Sequence, residues 1–170
     1  MCRRRAASKA TRSSRCATFE RVAGGTAARF GAWLAGLWAG ALLAVALLAA
    51  PAAFAVLPSA DAGRVVGWMF AREALASLAL AAALFVVVRG RARTAAAAGR
   101  GSVVDADVLM VLGTLFCTVA GYYAVQPMLP AARAGQGLLS FGALHGVSLG
   151  FFALKGVLAM ALAWRLGRPR

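Results

Sequence analysis

The chain reads as an all-α integral membrane protein, a four-helix bundle with short loops, and three observations predict it. Of its 170 residues, 62% are hydrophobic and 14% charged, whereas an average soluble domain has about 45–50% apolar and about 25% charged residues. The charges fall in blocks: 31 residues from Phe30 to Ala60 carry none, nor do 25 from Val108 to Ala132. The 43 alanines and 19 glycines suit closely packed membrane helices, where small residues let backbones approach. The same composition excludes a disordered chain, being too apolar despite a net charge of +14. Three cysteines are too few for a disulfide scaffold.

A helix crossing hydrocarbon needs about 20 residues at about 1.5 Å each. The uncharged gaps predict spans near 33–57, 68–88, 107–126 and 139–164, the second of them crossing Arg72 and Glu73. Pro58 closes the first, Arg89-Gly90-Arg91 the second, Pro127 and Pro130 the third, and Arg165 with Arg168 the fourth. Trp33, Trp68 and Trp164 lie near the predicted interfaces, as in an aromatic belt, and Trp38 lies deeper.

Orientation follows from the basic residues, which are retained on the cytoplasmic side. Segment 1–29 has eight, the 89–102 loop four and the tail 165–170 three, while the 58–67 and 127–138 loops have one each. Both termini and the middle loop are therefore expected on the cytoplasmic side, with the 58–67 and 127–138 loops outside. A basic stretch, an apolar run and Ala53-Phe54-Ala55 also resemble a secretory signal. The 29-residue basic region and the length of the apolar run favour an uncleaved span.

Residues 1–29 hold eight basic residues against Glu20, without apolar periodicity, and read as a disordered cytoplasmic segment preceding a membrane domain over 30–165 and a tail over 166–170. The run could meet anionic lipid or phosphates, but nothing aromatic is interleaved for base stacking, which argues against nucleic acid. Arginine outnumbers lysine 17 to 2, a bias of GC-rich bacterial genomes, in which Val22 is an alternative start. Cys2 lacks the preceding hydrophobic stretch of a lipoprotein. The cysteines show no metal or redox spacing, and Cys117 reads as a small packing residue.

Small residues four apart place Gly36 and Gly40 on one face of the first span, Gly113, Cys117 and Gly121 on the third, and Gly142, Gly146 and Gly150 on the fourth. The last row is the most specific, and it suits contact within the bundle or between copies of the chain.

Ionisable side chains inside spans cost about 2.5–3.5 kcal/mol each at the centre on insertion scales, so polar residues there require a reason. Arg72 and Glu73, then Tyr122, Tyr123 and Gln126, then His145 and Ser148 are expected near the outer ends of the second, third and fourth spans. They form a candidate polar cluster at one depth. His145, Ser148, Phe152 and Lys155 make a stripe at helical spacing that is expected to face the bundle. Lys155 either snorkels towards the cytoplasmic surface or meets Asp105 or Asp107. His145 is either a packing histidine bonded to Glu73 or a tyrosine, a proton-handling partner of Glu73, or a ligand for haem or copper. A single histidine is poor support for metal. No nucleophile–base pair or phosphate loop is legible, so no enzymatic activity is expected.

Leu37-Trp38-Ala39-Gly40, Ala50-Pro51-Ala52-Ala53-Phe54, Leu57-Pro58, Phe70 to Glu73, Tyr123-Ala124-Val125-Gln126-Pro127 and Phe141 to Ser148 resemble the bacterial domain-of-unknown-function family 4149. That family is similar to a eukaryotic transmembrane protein implicated in platinum-drug resistance. The resemblance covers about 30–165 and implies a four-span integral protein of the bacterial inner membrane without an established activity. Its matching positions are Pro51, Phe54, Glu73, Gln126, Pro127, His145, Gly146 and Ser148. Two functions stay open: a structural or accessory subunit whose Gly-rich faces bind itself or a membrane partner, and a small-solute, metal or proton-handling protein using Glu73 and His145.

Overall fold

The computed structural model describes residues 25–137 and 139–168, and most of the basic segment lies outside them. The described chain forms four helices, each long and apolar enough to cross a membrane: α1 (Gly25–Val56), α2 (Ser59–Ala97), α3 (Ala106–Arg133) and α4 (Phe141–Gly167). The protein is an all-α four-helix membrane bundle.

Helix α2 begins nine residues before the expected span and ends nine after it. The second flank, Arg89 to Ala97, has four alanines and three arginines, strong helix formers that continue a helix past the apolar stretch; the first, Ser59 to Gly67, follows Pro58 directly. Helix α1 likewise starts at Gly25, so the last residues of the basic segment are helical. Leu57, extended at φ −118° and ψ 150°, and Pro58 are all that separate α1 from α2. The residue before a proline is driven out of the helical region. After α2 the chain turns through Gly99 and Gly101, whose φ angles of 70° and 105° are cheap only for glycine. Asp105 then caps α3 by accepting a hydrogen bond from the Val108 amide at 3.0 Å.

Prolines shape the other end. Helix α1 widens into a π stretch over Val45–Ala49 just before Pro51, and α3 does so over Val119–Ala124 just before Pro127. A proline has no N–H and its ring collides with the carbonyl four residues back, so the ladder cannot stay regular, and a π turn absorbs the mismatch. Helix α3 does not stop at Pro127. A 3₁₀ turn over Gln126–Met128 carries it to Arg133, because proline is acceptable at the start of a new helical turn.

Helix α3 packs on both α2 and α4. Helix α1 closes the ring, with Gly31 against Val87 and Leu166. Helices α2 and α4 therefore face each other across the bundle. They run parallel and in register: one offset of 82 residues relates Ser59 to Phe141 at their starts, Phe70 to Phe152 in an edge-on ring contact at 5.2 Å, and Glu73 to Lys155. The main core, towards the arginine-rich end, takes Trp38 and Leu42 from α1, Leu84 and Val88 from α2, Val108 and Val111 from α3, and Leu162 and Leu166 from α4. Towards the proline-rich end a smaller cluster joins Val125, Ala132 and Leu144.

Close approach is greatest between α3 and α4. A Cβ on Gly121 would stand 2.7 Å from Cβ of Phe151, and one on Gly113 3.0 Å from Leu158. The row that packs inside is thus Gly113, Cys117 and Gly121, with Cys117 buried. A Cβ on Gly36, Gly40, Gly142, Gly146 or Gly150 would meet nothing within 4 Å. These five lie on the outer surface of the single chain, so the alternative of contact within the bundle is corrected. Pro51 is exposed and acts on the backbone of α1.

Candidate functional site

The polar residues of the bundle converge on Lys155, midway along α4 and 14 residues after Phe141. Its ammonium donates to Glu73 Oε1 at 2.8 Å, Glu73 Oε2 at 2.9 Å and Ser77 Oγ at 3.3 Å. The Ser77 hydroxyl donates to Glu73 Oε1 and accepts from the Trp38 indole N–H at 3.0 Å. Three ammonium protons have three acceptors, and the hydroxyl uses its one proton and both lone pairs, so ammonium and hydroxyl are saturated. The side chains of Lys155 and Glu73 are 4% and 10% exposed. The Phe152 ring lies 4.9 Å from the ammonium, adding a cation–π contact on its apolar side.

Each participant is placed by local structure. Ser77 stands one turn after Glu73 on α2, the spacing that puts two side chains on one face. Trp38 projects from α1 and Lys155 from α4, so three helices meet at one point and the ion pair crosses the interior between the facing helices α2 and α4. Breaking such a pair leaves a buried charge without compensation, whereas an intact one is close to neutral against apolar packing. Its chief effect is on register: only one alignment of α2 and α4 satisfies all these bonds.

The expected cluster of Glu73, Gln126, His145, Ser148, Arg72 and Tyr123 is not assembled as one group. Glu73 is bonded to Lys155 and Ser77 instead of His145. Ser148 donates to the Gly121 carbonyl at 3.3 Å, tying α4 to the π stretch of α3. Such stretches leave a carbonyl outside the regular ladder. His145 is exposed on α4 and stacks on Phe141, with ring centroids 5.7 Å apart and planes 15° apart, while Arg133 caps the same Phe141 ring at 4.6 Å. Arg72 is exposed and lies over Trp68 at 5.0 Å. Tyr123 is exposed and in edge-on contact with Tyr122. The Gln126 side chain is half-buried and forms no hydrogen bond among the described residues.

Of the stripe on α4, Lys155 is buried, Ser148 and Phe152 are half-buried, and His145 points outward. The expectation that it faces the bundle along its whole length is corrected: a helix sheds neighbours towards its end, and His145 stands just one turn into α4. Lys155 neither snorkels nor meets Asp105 or Asp107. A long side chain on α4 leans towards the helix N-terminus, which carries the ammonium to Glu73 at the same register.

A second charged layer went unread in the sequence. Asp107, 2% exposed at the start of α3, accepts from Arg165 Nε at 2.6 Å and has Arg91 Nη1 at 4.0 Å. Antiparallel packing of α3 against α4 signals this arrangement, because it brings the acid that opens one helix level with the arginine that closes the next. Among the described residues no group of three or more His, Cys, Asp or Glu is placed to hold a metal.

A family model described as Domain of unknown function (DUF4149) matches residues 33–137. The match spans more than half of the chain, which belongs to that family. No curated protein and no solved structure matches.

Proposed function

From membership of a family that brings a membrane domain but no assigned activity, we propose that this protein is a non-enzymatic structural or accessory membrane subunit. One observation carries the reading: the Trp38–Glu73–Ser77–Lys155 network has its ammonium and its hydroxyl saturated. It has the form of a lock on helix register, with no donor held open for a ligand. The outward glycine face of Gly142, Gly146 and Gly150 supports docking of a second copy or another membrane helix. The blocks of arginine at the chain ends and the middle loop support a bacterial inner-membrane protein with both termini cytoplasmic. Alkaline-phosphatase fusions are then active within 59–66 and 128–137 and inactive within 92–100.

The alternative of small-solute, metal or proton handling by Glu73 and His145 draws on the rarity of charges inside a membrane. It loses support because no hydrogen bond or ion pair joins the two residues. A double-mutant cycle separates these readings. Under the structural one, Glu73→Gln and Lys155→Met each lower the melting temperature of the detergent-solubilised protein and are strongly non-additive. A double variant that folds as well as the parent yet abolishes a proton or solute flux measured in proteoliposomes would overturn it.

A further inference from the structure

We infer that the arginine-rich end of α4 carries a binding site for the phosphodiester headgroup of an anionic phospholipid, built on Arg165 and Arg168. Arg165 donates from Nε to Asp107 at 2.6 Å, and its side chain is 39% exposed while that of Asp107 is 3% exposed. The buried carboxylate thus anchors one edge of the guanidinium. The two terminal nitrogens of Arg165 form no hydrogen bond among the described residues. That leaves a planar fork, held from behind, with donors matched to two oxygens of one phosphate.

Arg168, the extended residue that follows α4, lies at 5.0 Å over the ring of Trp164, the residue next to Arg165. Trp164 is itself 65% exposed, and Trp33, 64% exposed, stands at the same height, since its neighbour Ala32 lies 3.9 Å from a Cβ built on Gly167. Exposed tryptophans of a membrane bundle mark the headgroup level, so the fork lies where lipid phosphates are. Two carboxylates, those of Asp107 and Asp105, act on Arg165, and the three guanidiniums of Arg165, Arg91 and Arg168 leave this end of the bundle net positive. Basic pockets between membrane helices recognise anionic headgroups in this manner, each basic residue near the surface contributing about 1 kcal/mol, or about fivefold in affinity.

The test is native mass spectrometry of the purified full chain in detergent, challenged with equal amounts of phosphatidylglycerol and phosphatidylcholine. The parent retains phosphatidylglycerol in preference. Arg168→Gln, which removes no core contact, weakens retention about fivefold. Arg165→Lys keeps the net charge and an ion pair to Asp107 but loses the fork, and it weakens retention to a similar degree. Equal retention of both lipids by the parent overturns the site, as does an unchanged preference in Arg165→Lys at an unchanged melting temperature. Displacement by inorganic phosphate at the lipid's own concentration would assign the fork to the free anion and overturn the lipid. Should Arg165→Lys fail to fold, Arg168→Gln decides alone: unchanged retention overturns the site.

Discussion

The charged layer at the middle of the bundle is balanced, one carboxylate against one ammonium, with the ammonium and the neighbouring hydroxyl fully used. The layer at the arginine-rich end sets Asp107, with Asp105 two residues away, against Arg165 and Arg91 and leaves the terminal nitrogens of Arg165 without a hydrogen bond among the described residues. Depth explains the difference. In hydrocarbon nothing else can satisfy a polar group, so a layer there persists only if it is closed on itself. At the interface, water and lipid phosphates supply the missing partners, and excess charge is tolerated. The middle layer therefore sets how the helices align, and the end layer what the bundle meets outside itself.

The comparison breaks first if the middle layer proves soft. Lys155→Met leaves the Glu73 carboxylate buried without its cation and is expected to cost about 3–5 kcal/mol, seen as a large fall in melting temperature in detergent. Adding Glu73→Leu recovers most of it, since an apolar pair of similar volume does nearly as well. Asp107→Asn, by the same measurement, costs less, about 1.5–3 kcal/mol, because Arg165, with its side chain 39% exposed, can turn to water or lipid. A larger loss for Asp107→Asn than for Lys155→Met would reverse the assigned roles.

Two glycine rows sharpen the same contrast between inside and outside. Gly121→Ala drives a methyl into Phe151 and is expected to destabilise by about 1–3 kcal/mol. Gly146→Ala meets open space and leaves the stability of the isolated chain, read from its melting temperature, unchanged or raised by up to about 1 kcal/mol through helix propensity. Crosslinking yield between copies in membranes would fall in Gly146→Ala if that face docks a second chain. The smallest effect is expected at His145: its replacement by alanine changes stability by no more than about 0.5 kcal/mol, since its contact is a ring stack on the exposed side of α4. A loss near that of Lys155→Met would show that His145 belongs with the buried network after all.

Amino-acid order alone determined the membrane class, the four spans and their punctuation at Pro58 and the arginines, because the cost of charge in hydrocarbon acts residue by residue. Glu73 stood out for the same reason: apart from Asp107, which only opens the third, it is the one acid within the expected spans. Its partner did not. The pattern sends Lys155 to the cytoplasmic surface or to Asp105 or Asp107, because a span at 68–88 starts nine residues later than α2 does and sets Glu73 near a membrane face instead of 14 residues inside α2. The register that brings Glu73 to Lys155, and the antiparallel match of Asp107 to Arg165, arise when helices pack, and no local pattern encodes them. The glycine rows show this most plainly. Gly121 and Gly146 have the same spacing pattern and the same chemistry, and only the rotation of α3 and α4 about their axes decided that one touches Phe151 and the other faces outward. Sequence fixes which groups must leave water or find a partner; tertiary packing decides which partner each one finds, since that depends on distances between segments far apart in the chain.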